Sequence, residues 1–150
     1  MKTMLRLFLM LATVATLVVQ LGCSNSGGAD AVGKTLYDEV GGEDGVTKLA
    51  NEFGASLQAN PELSVLLTAE AIENAKAGLA NDIKRASNMD AGDMSLDSAL
   101  KDQKLDNNTL AGVNNAIVQA AKAMNLSQDT TDELTKLVKP LAHSVIEPKL

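Results

Sequence analysis

The chain has one cysteine, one histidine, no tryptophan and few positive charges, and each scarcity removes a class of function. A single thiol, Cys23, forms no internal disulfide, and without a Cys-x-x-Cys pair there is no dithiol chemistry. The lone His143 has no adjoining cluster of Cys, Asp or Glu, so it defines no metal site and completes no nucleophile–histidine–carboxylate set. No glycine-rich phosphate loop is present. The carboxylate pairs Glu43-Asp44 and Asp132-Glu133 stand at expected helix starts, where the helix dipole accounts for them without catalysis. "MDAGDMSLD" lacks the closing glutamate of a calcium loop. These absences point away from an enzyme. No segment alternates with period two for long enough to make a strand, so the expected class is all-α, with about five helices.

What is present begins with a leader. Lys2 and Arg6 precede an apolar or threonine run from Leu7 to Val19, shorter than the roughly 20 residues a bilayer span requires. Residues 1–22 therefore read as a signal peptide. The run closes on Leu21-Gly22-Cys23, an order that resembles a bacterial lipoprotein processing site, with Cys23 as the lipidated residue and new N-terminus. Gln20 departs from the aliphatic residue usual three places before that cysteine; an ordinary secretory signal or an uncleaved anchor is the alternative. Several acyl chains together hold a protein to a membrane without any spanning helix. The expected location is the bacterial cell envelope, and Ser24 favours the outer membrane, facing the periplasm, in a Gram-negative organism.

Cleavage removes Lys2 and Arg6, taking the 13 basic residues to 11 against 19 acidic ones, a net charge of −8 with His143 neutral. Such a body gains nothing from nucleic acid or from an anionic bilayer surface, so lipid on Cys23 rather than charge supplies the membrane contact. The remaining 128 of 150 residues suffice for one core and not for two. Residues 23–34 contain the small, polar, glycine-rich stretch "SNSGGADAVG", a flexible tether reaching on the order of 20 Å. The helical domain is expected over residues 35–150.

Within it, Thr35 caps a brief helix that Gly41 and Gly42 terminate, and a second helix runs to about Ala59 with Val46, Leu49, Ala50, Phe53 and Leu57 facing inward. Asn60-Pro61-Glu62 begins a short turn through Leu67. A third helix, Ala69 to Ser87, turns Ile72, Ala75, Leu79, Ile83 and Ala86 inward. The polar segment after it has one turn of helix, at Leu96–Leu100. Asp106 caps a helix from Asn107 to Asn125 whose stripe is Leu110, Val113, Ile117, Ala120, Ala121 and Met124. Ser127 opens the last helix, bearing Leu134, Leu137, Val138, Leu141 and Val145, with a kink expected at Pro140.

"LYDEVGGEDGVTKLANEF" followed by "ANPEL" resembles the opening of the group I truncated haemoglobins, and "KLVKPLAHSVIE" resembles their last helix. The resemblance implies a truncated globin-like helical fold and, in working members, a haem that binds a diatomic gas such as oxygen or nitric oxide. Transferred position by position, it places Thr109 where the family has its axial histidine, and Thr is a poor ligand for haem iron. Gly54 follows Phe53 where the family has a distal tyrosine; Ala77 or Gly78 takes the place of the distal His or Gln; Asp82 falls at a further distal position; and Leu67 replaces an aromatic residue. The mature chain has two aromatic residues, Tyr37 and Phe53, to pack a large flat ring. A collapsed bundle without porphyrin is the expectation. The remaining ligand candidates are His143, 34 residues past Thr109 in the last helix, and Met89 and Met94 in the irregular segment before it, since methionine can ligate haem iron.

Three functional readings follow, in this order. The first is a lipid-anchored, haem-free globin-like module that binds a protein or other partner at the envelope. The second is a truncated haemoglobin using an atypical ligand. The third is a structural helical lipoprotein unrelated to globins.

Overall fold

The computed structural model describes residues 33–141, and every regular element among them is a helix. The five expected helices are present, and the two expected turns close as short helices. Thr35 opens α1 (Leu36–Val40) with a reciprocal cap: its hydroxyl accepts from the Asp38 N–H at 3.3 Å, and the Asp38 carboxylate accepts from the Thr35 N–H at 3.1 Å. Gly41 (φ 109°) and Gly42 (φ 69°) then turn the chain through a left-handed conformation that suits glycine. Three residues later Gly45 admits close approach, because a Cβ there would sit 2.1 Å from the Val40 carbonyl oxygen.

The second helix, α2 (Gly42–Ala59), buries Val46, Leu49, Ala50, Phe53 and Leu57, all on its expected inner face. It packs against both of the other long helices, α4 (Ala69–Ala86) and α6 (Asn107–Ala123). Between α2 and α4 lies α3 (Pro61–Leu66), started by Asn60 Oδ1 accepting from the Glu62 and Leu63 N–H groups and by Pro61 at its first position. Of the expected α4 stripe, Ala86 is exposed and the next residue, Ser87, is buried; its hydroxyl accepts from the Tyr37 N–H at 2.9 Å, tying α1 to the end of α4. The fifth helix, α5 (Leu96–Leu100), turns Leu96 and Leu100 into the core against α4.

The ends of α4 and α6 fall one and two residues short of the expected Ser87 and Asn125, for one reason. Asn88 and Asn125 both take a left-handed φ of 55°, and the following N–H groups, of Met89 and Leu126, return to the Lys84 and Ala121 carbonyls at 2.9 and 3.0 Å. This is the Schellman closure, with asparagine in the place glycine usually fills. The last helix, α7 (Gln128–Lys136), ends before Pro140. Helix resumes at 139–141, after a tight turn in which Leu137 and Val138 donate to the carbonyls three residues back. Pro140 has no N–H for the Lys136 carbonyl, and its ring crowds that oxygen, so the break falls over the turn before the proline.

Candidate functional site

Six positions carry the expected haem site, Phe53, Gly54, Leu67, Gly78, Asp82 and Thr109; the structure packs the first four in or beside the core and uses the last two in hydrogen bonds. Phe53 is fully buried in the main core, and Leu67 belongs to the same cluster. Gly54 lies on the α2 surface that meets α4, where a Cβ would come 2.6 Å from Cδ of Lys76 and 3.5 Å from Cγ2 of Ile72. Gly78 is tighter. A Cβ built on it would stand 2.6 Å from the Leu96 nitrogen and from the carbonyl carbon and oxygen of Ser95, so the backbone entering α5 occupies the space that a distal side chain would need. Ala77, the alternative distal position, is exposed on the outer side of α4.

Thr109, expected at the axial position, is buried and used by its own helix. Its hydroxyl accepts from the Asp106 N–H at 2.7 Å and lies 2.9 Å from Asp106 Oδ1, while its N–H donates to that carboxylate at 2.8 Å, completing the cap of α6. Those bonds from Thr109 hold the Asp106 carboxyl below its ordinary range. A hydroxyl committed in this way is not aimed at a metal, and the space beside Gly78 is filled by chain. These residues do not fit a haem held in the family's manner.

Asp82 has a different task. One carboxylate oxygen accepts from the Leu96 N–H at 2.9 Å, seating the first turn of α5, and the other pairs with Arg85 Nη1. Burial is the largest influence on the Asp82 carboxyl and holds it above the usual range, although both partners pull it down. Arg85 continues the construction: its Nη2 donates to the carbonyls of Gly92 at 2.6 Å and Met94 at 2.9 Å. Asn81 completes it, donating through Nδ2 to the Met94 carbonyl and accepting from the Gly92 N–H through Oδ1. The segment read as irregular is therefore fastened along its length to α4. Asn81 and Arg85 escaped the sequence reading because polar residues on the outer side of a helix carry no periodic mark.

A cavity of about 480 Å³ opens beside this clasp, lined by Asp82, Arg85, Ser95, Lys136, Leu137 and Pro140 among others. A second, of about 350 Å³, lies between α6 and the turn after α7, with Leu110, Ala111, Asn114 and Val138 in its wall. Among the described residues, no three His, Cys, Asp or Glu side chains gather so as to hold a metal ion, and no helix is long and apolar enough to cross a membrane. Met89 and Met94 are exposed. Cys23 and His143 lie outside the described residues, as do the leader and most of the tether.

No protein-family model, no curated protein and no solved structure matches this chain.

Proposed function

We propose that this protein is a lipid-anchored binding or interaction module of the bacterial cell envelope, a globin-like helical domain that works without haem. The observation that supports it best is at Gly78, where the distal position of the resembled family faces the Ser95–Leu96 backbone at distances no side chain tolerates. Thr109 adds to it, since the residue at the axial position is bound to the cap of its own helix. The anchor rests on the sequence: a short apolar run closed by Leu21-Gly22-Cys23, and a net charge of −8 after cleavage that leaves lipid to make the membrane contact. The same charge leaves no basic patch from which nucleic acid would release counterions.

Two measurements test the reading. Haemin titrated into the Cys23→Ser protein is expected to give a broad, weak band over an unchanged cooperative melt. A sharp Soret band at one haem per chain would overturn the haem-free reading, and its loss in His143→Ala would name the ligand. In cells, Cys23→Ser is expected to abolish fatty-acid labelling and leave precursor-sized protein; unchanged labelling and size would remove the anchor.

A further inference from the structure

We infer that the loop from Met89 to Met94 is a binding site for a soft monovalent cation, Cu(I) or Ag(I), held by the two methionine thioethers. Of the four large apolar side chains that stand exposed among the described residues, two are Met89 and Met94, at 40% and 38% of full exposure, and they mark the two ends of one loop. Methionine is commonly packed into gaps of a core, as Met124 is against this one. Leaving two of them more than a third exposed, five residues apart, forgoes part of that burial.

The loop is fixed. The Met89 N–H is held by the Lys84 carbonyl at 2.9 Å, and the Met94 carbonyl by Asn81 Nδ2 and Arg85 Nη2, each also at 2.9 Å. Both ends are thus fastened to residues 81 to 85 of a single helix, so the loop is folded back on α4 rather than extended, which for a chain of this length would part its ends by about 17 Å. Gly92 lets the middle of the loop lie down on α4, since a Cβ there would already press within 3.1 Å of the Asn81 side chain. With both backbones held, the two flexible thioether side chains leave one small platform and can close on one ion. Asp90 and Asp93 stand between them, both exposed, and the basic groups nearest the loop, Arg85 and Lys84, are paired with Asp82 and Glu43, which leaves the loop's own carboxylates to favour a cation.

Ligand chemistry selects the ion. A thioether is soft and uncharged, which suits Cu(I) and its probe Ag(I) over the hard ions that want carboxylate cages and over Zn(II), which takes thiolate, imidazole and carboxylate. The thioether carries no proton to displace, so binding is expected to vary little between pH 5 and 7.

The test uses the full chain as Cys23→Ser, which removes the competing thiol, labelled with ¹³C at the methionine methyl groups and titrated with silver nitrate in chloride-free buffer. The Met89 and Met94 methyl resonances are expected to move together and saturate at one Ag(I) for the pair, with Met124 still and the leader's Met1, Met4 and Met10, which carry the same thioether, followed as separate resonances. Met89→Leu or Met94→Leu, both exposed and close in volume, is expected to weaken binding at least tenfold, and Met124→Leu and His143→Ala to leave it unchanged. Zn(II) is expected to shift neither resonance. Independent saturation of the two methionines at two ions per chain, unchanged affinity in the Met89→Leu/Met94→Leu double variant, or an equal response from Met124 would overturn the site. Circular dichroism confirms that each variant is folded, so lost binding is not lost structure.

Discussion

Gly78 and Gly54 make a controlled comparison, because both are buried glycines inside long helices and both fall at positions where the resembled family touches its cofactor. Replacing either by Ala gains up to about 1 kcal/mol of helix propensity, so that term cancels between them. What remains is the obstacle in front of each new methyl. At Gly54 it is the stem of Lys76, 2.6 Å from the built Cβ but flexible and partly exposed; swinging it aside disturbs an ion pair with Glu73 that contributes little at the surface. At Gly78 the obstacle is three backbone atoms of Ser95 and Leu96, all at 2.6 Å, with the Leu96 N–H further pinned by Asp82. Forcing an additional methyl into packed backbone costs about 1–3 kcal/mol. Gly78→Ala is therefore expected to be less stable than Gly54→Ala by about that amount, a gap of about 4–8 °C in Tm per kcal/mol for a domain near 100 residues. Urea unfolding followed by circular dichroism reads the difference at constant m. Equal stability of the two variants, or a Gly78→Ala protein stabilised by the full propensity gain, would mean that α5 is not seated on α4 and that room exists beside Gly78.

Two further outcomes follow from the caps. Thr109→Val keeps the shape and removes the hydroxyl, and is expected to cost about 1 kcal/mol, as other lost helix caps do, whereas Thr109→Ser, which restores the bonds to Asp106, should lie close to the parent in the same urea titration. Stability should fall in acid: the Asp38, Glu43 and Asp106 carboxyls are held below their ordinary values by hydrogen bonds from Thr35, Lys84 and Thr109, so their contribution is present above about pH 4.5 and is lost as pH falls through the lowered values. Asp82, raised by burial, contributes in the opposite sense, fully present below its ordinary value and lost as pH rises through the raised one. Asp106→Asn is accordingly expected to flatten the fall in Tm between pH 7 and 3 and Asp82→Asn to steepen it; the reverse pair of slopes would contradict both assignments.

The long helices were legible because burial on one face of a helix writes a period into the sequence, as Val46, Leu49, Phe53 and Leu57 do on α2. Three caps were legible as well, since Thr35, Asp106 and Ser127 carry the side-chain oxygens that favour a helix start. What is not periodic stayed hidden. Gly45 reads as one more glycine after a pair, and only the 2.1 Å to the Val40 carbonyl shows that α1 and α2 meet there. The break in the last helix, expected at Pro140, falls at Leu137 and Val138 because a proline acts on the carbonyl four residues before it. The stretch from Asn88 to Leu96 looked unstructured because its order is imposed by Asn81, Asp82 and Arg85, whose side chains reach it from another element.

The glycines at the resembled family's cofactor positions have two meanings that sequence cannot separate. A residue lost from a binding site leaves a void, and a residue selected for close approach leaves none, yet both are written as Gly. Packing decides between them, because interiors do not keep empty volume. At Gly78 the volume is taken by the backbone that starts α5, and that backbone is held by Asp82, one helical turn further along α4. Arg85, paired with the same carboxylate, holds Gly92 and Met94. One short stretch of α4 therefore seats α5 against Gly78 and holds the loop that bears the two methionines, so loosening it by Asp82→Asn should disturb both. Gly78→Ala, in contrast, lifts α5 without touching the bonds to Gly92 and Met94, and Ag(I) binding should survive it. A loss of Ag(I) binding in Gly78→Ala would show that the loop and α5 move as one body; its retention is expected if the bonds from Asn81, Lys84 and Arg85 hold the loop independently of α5.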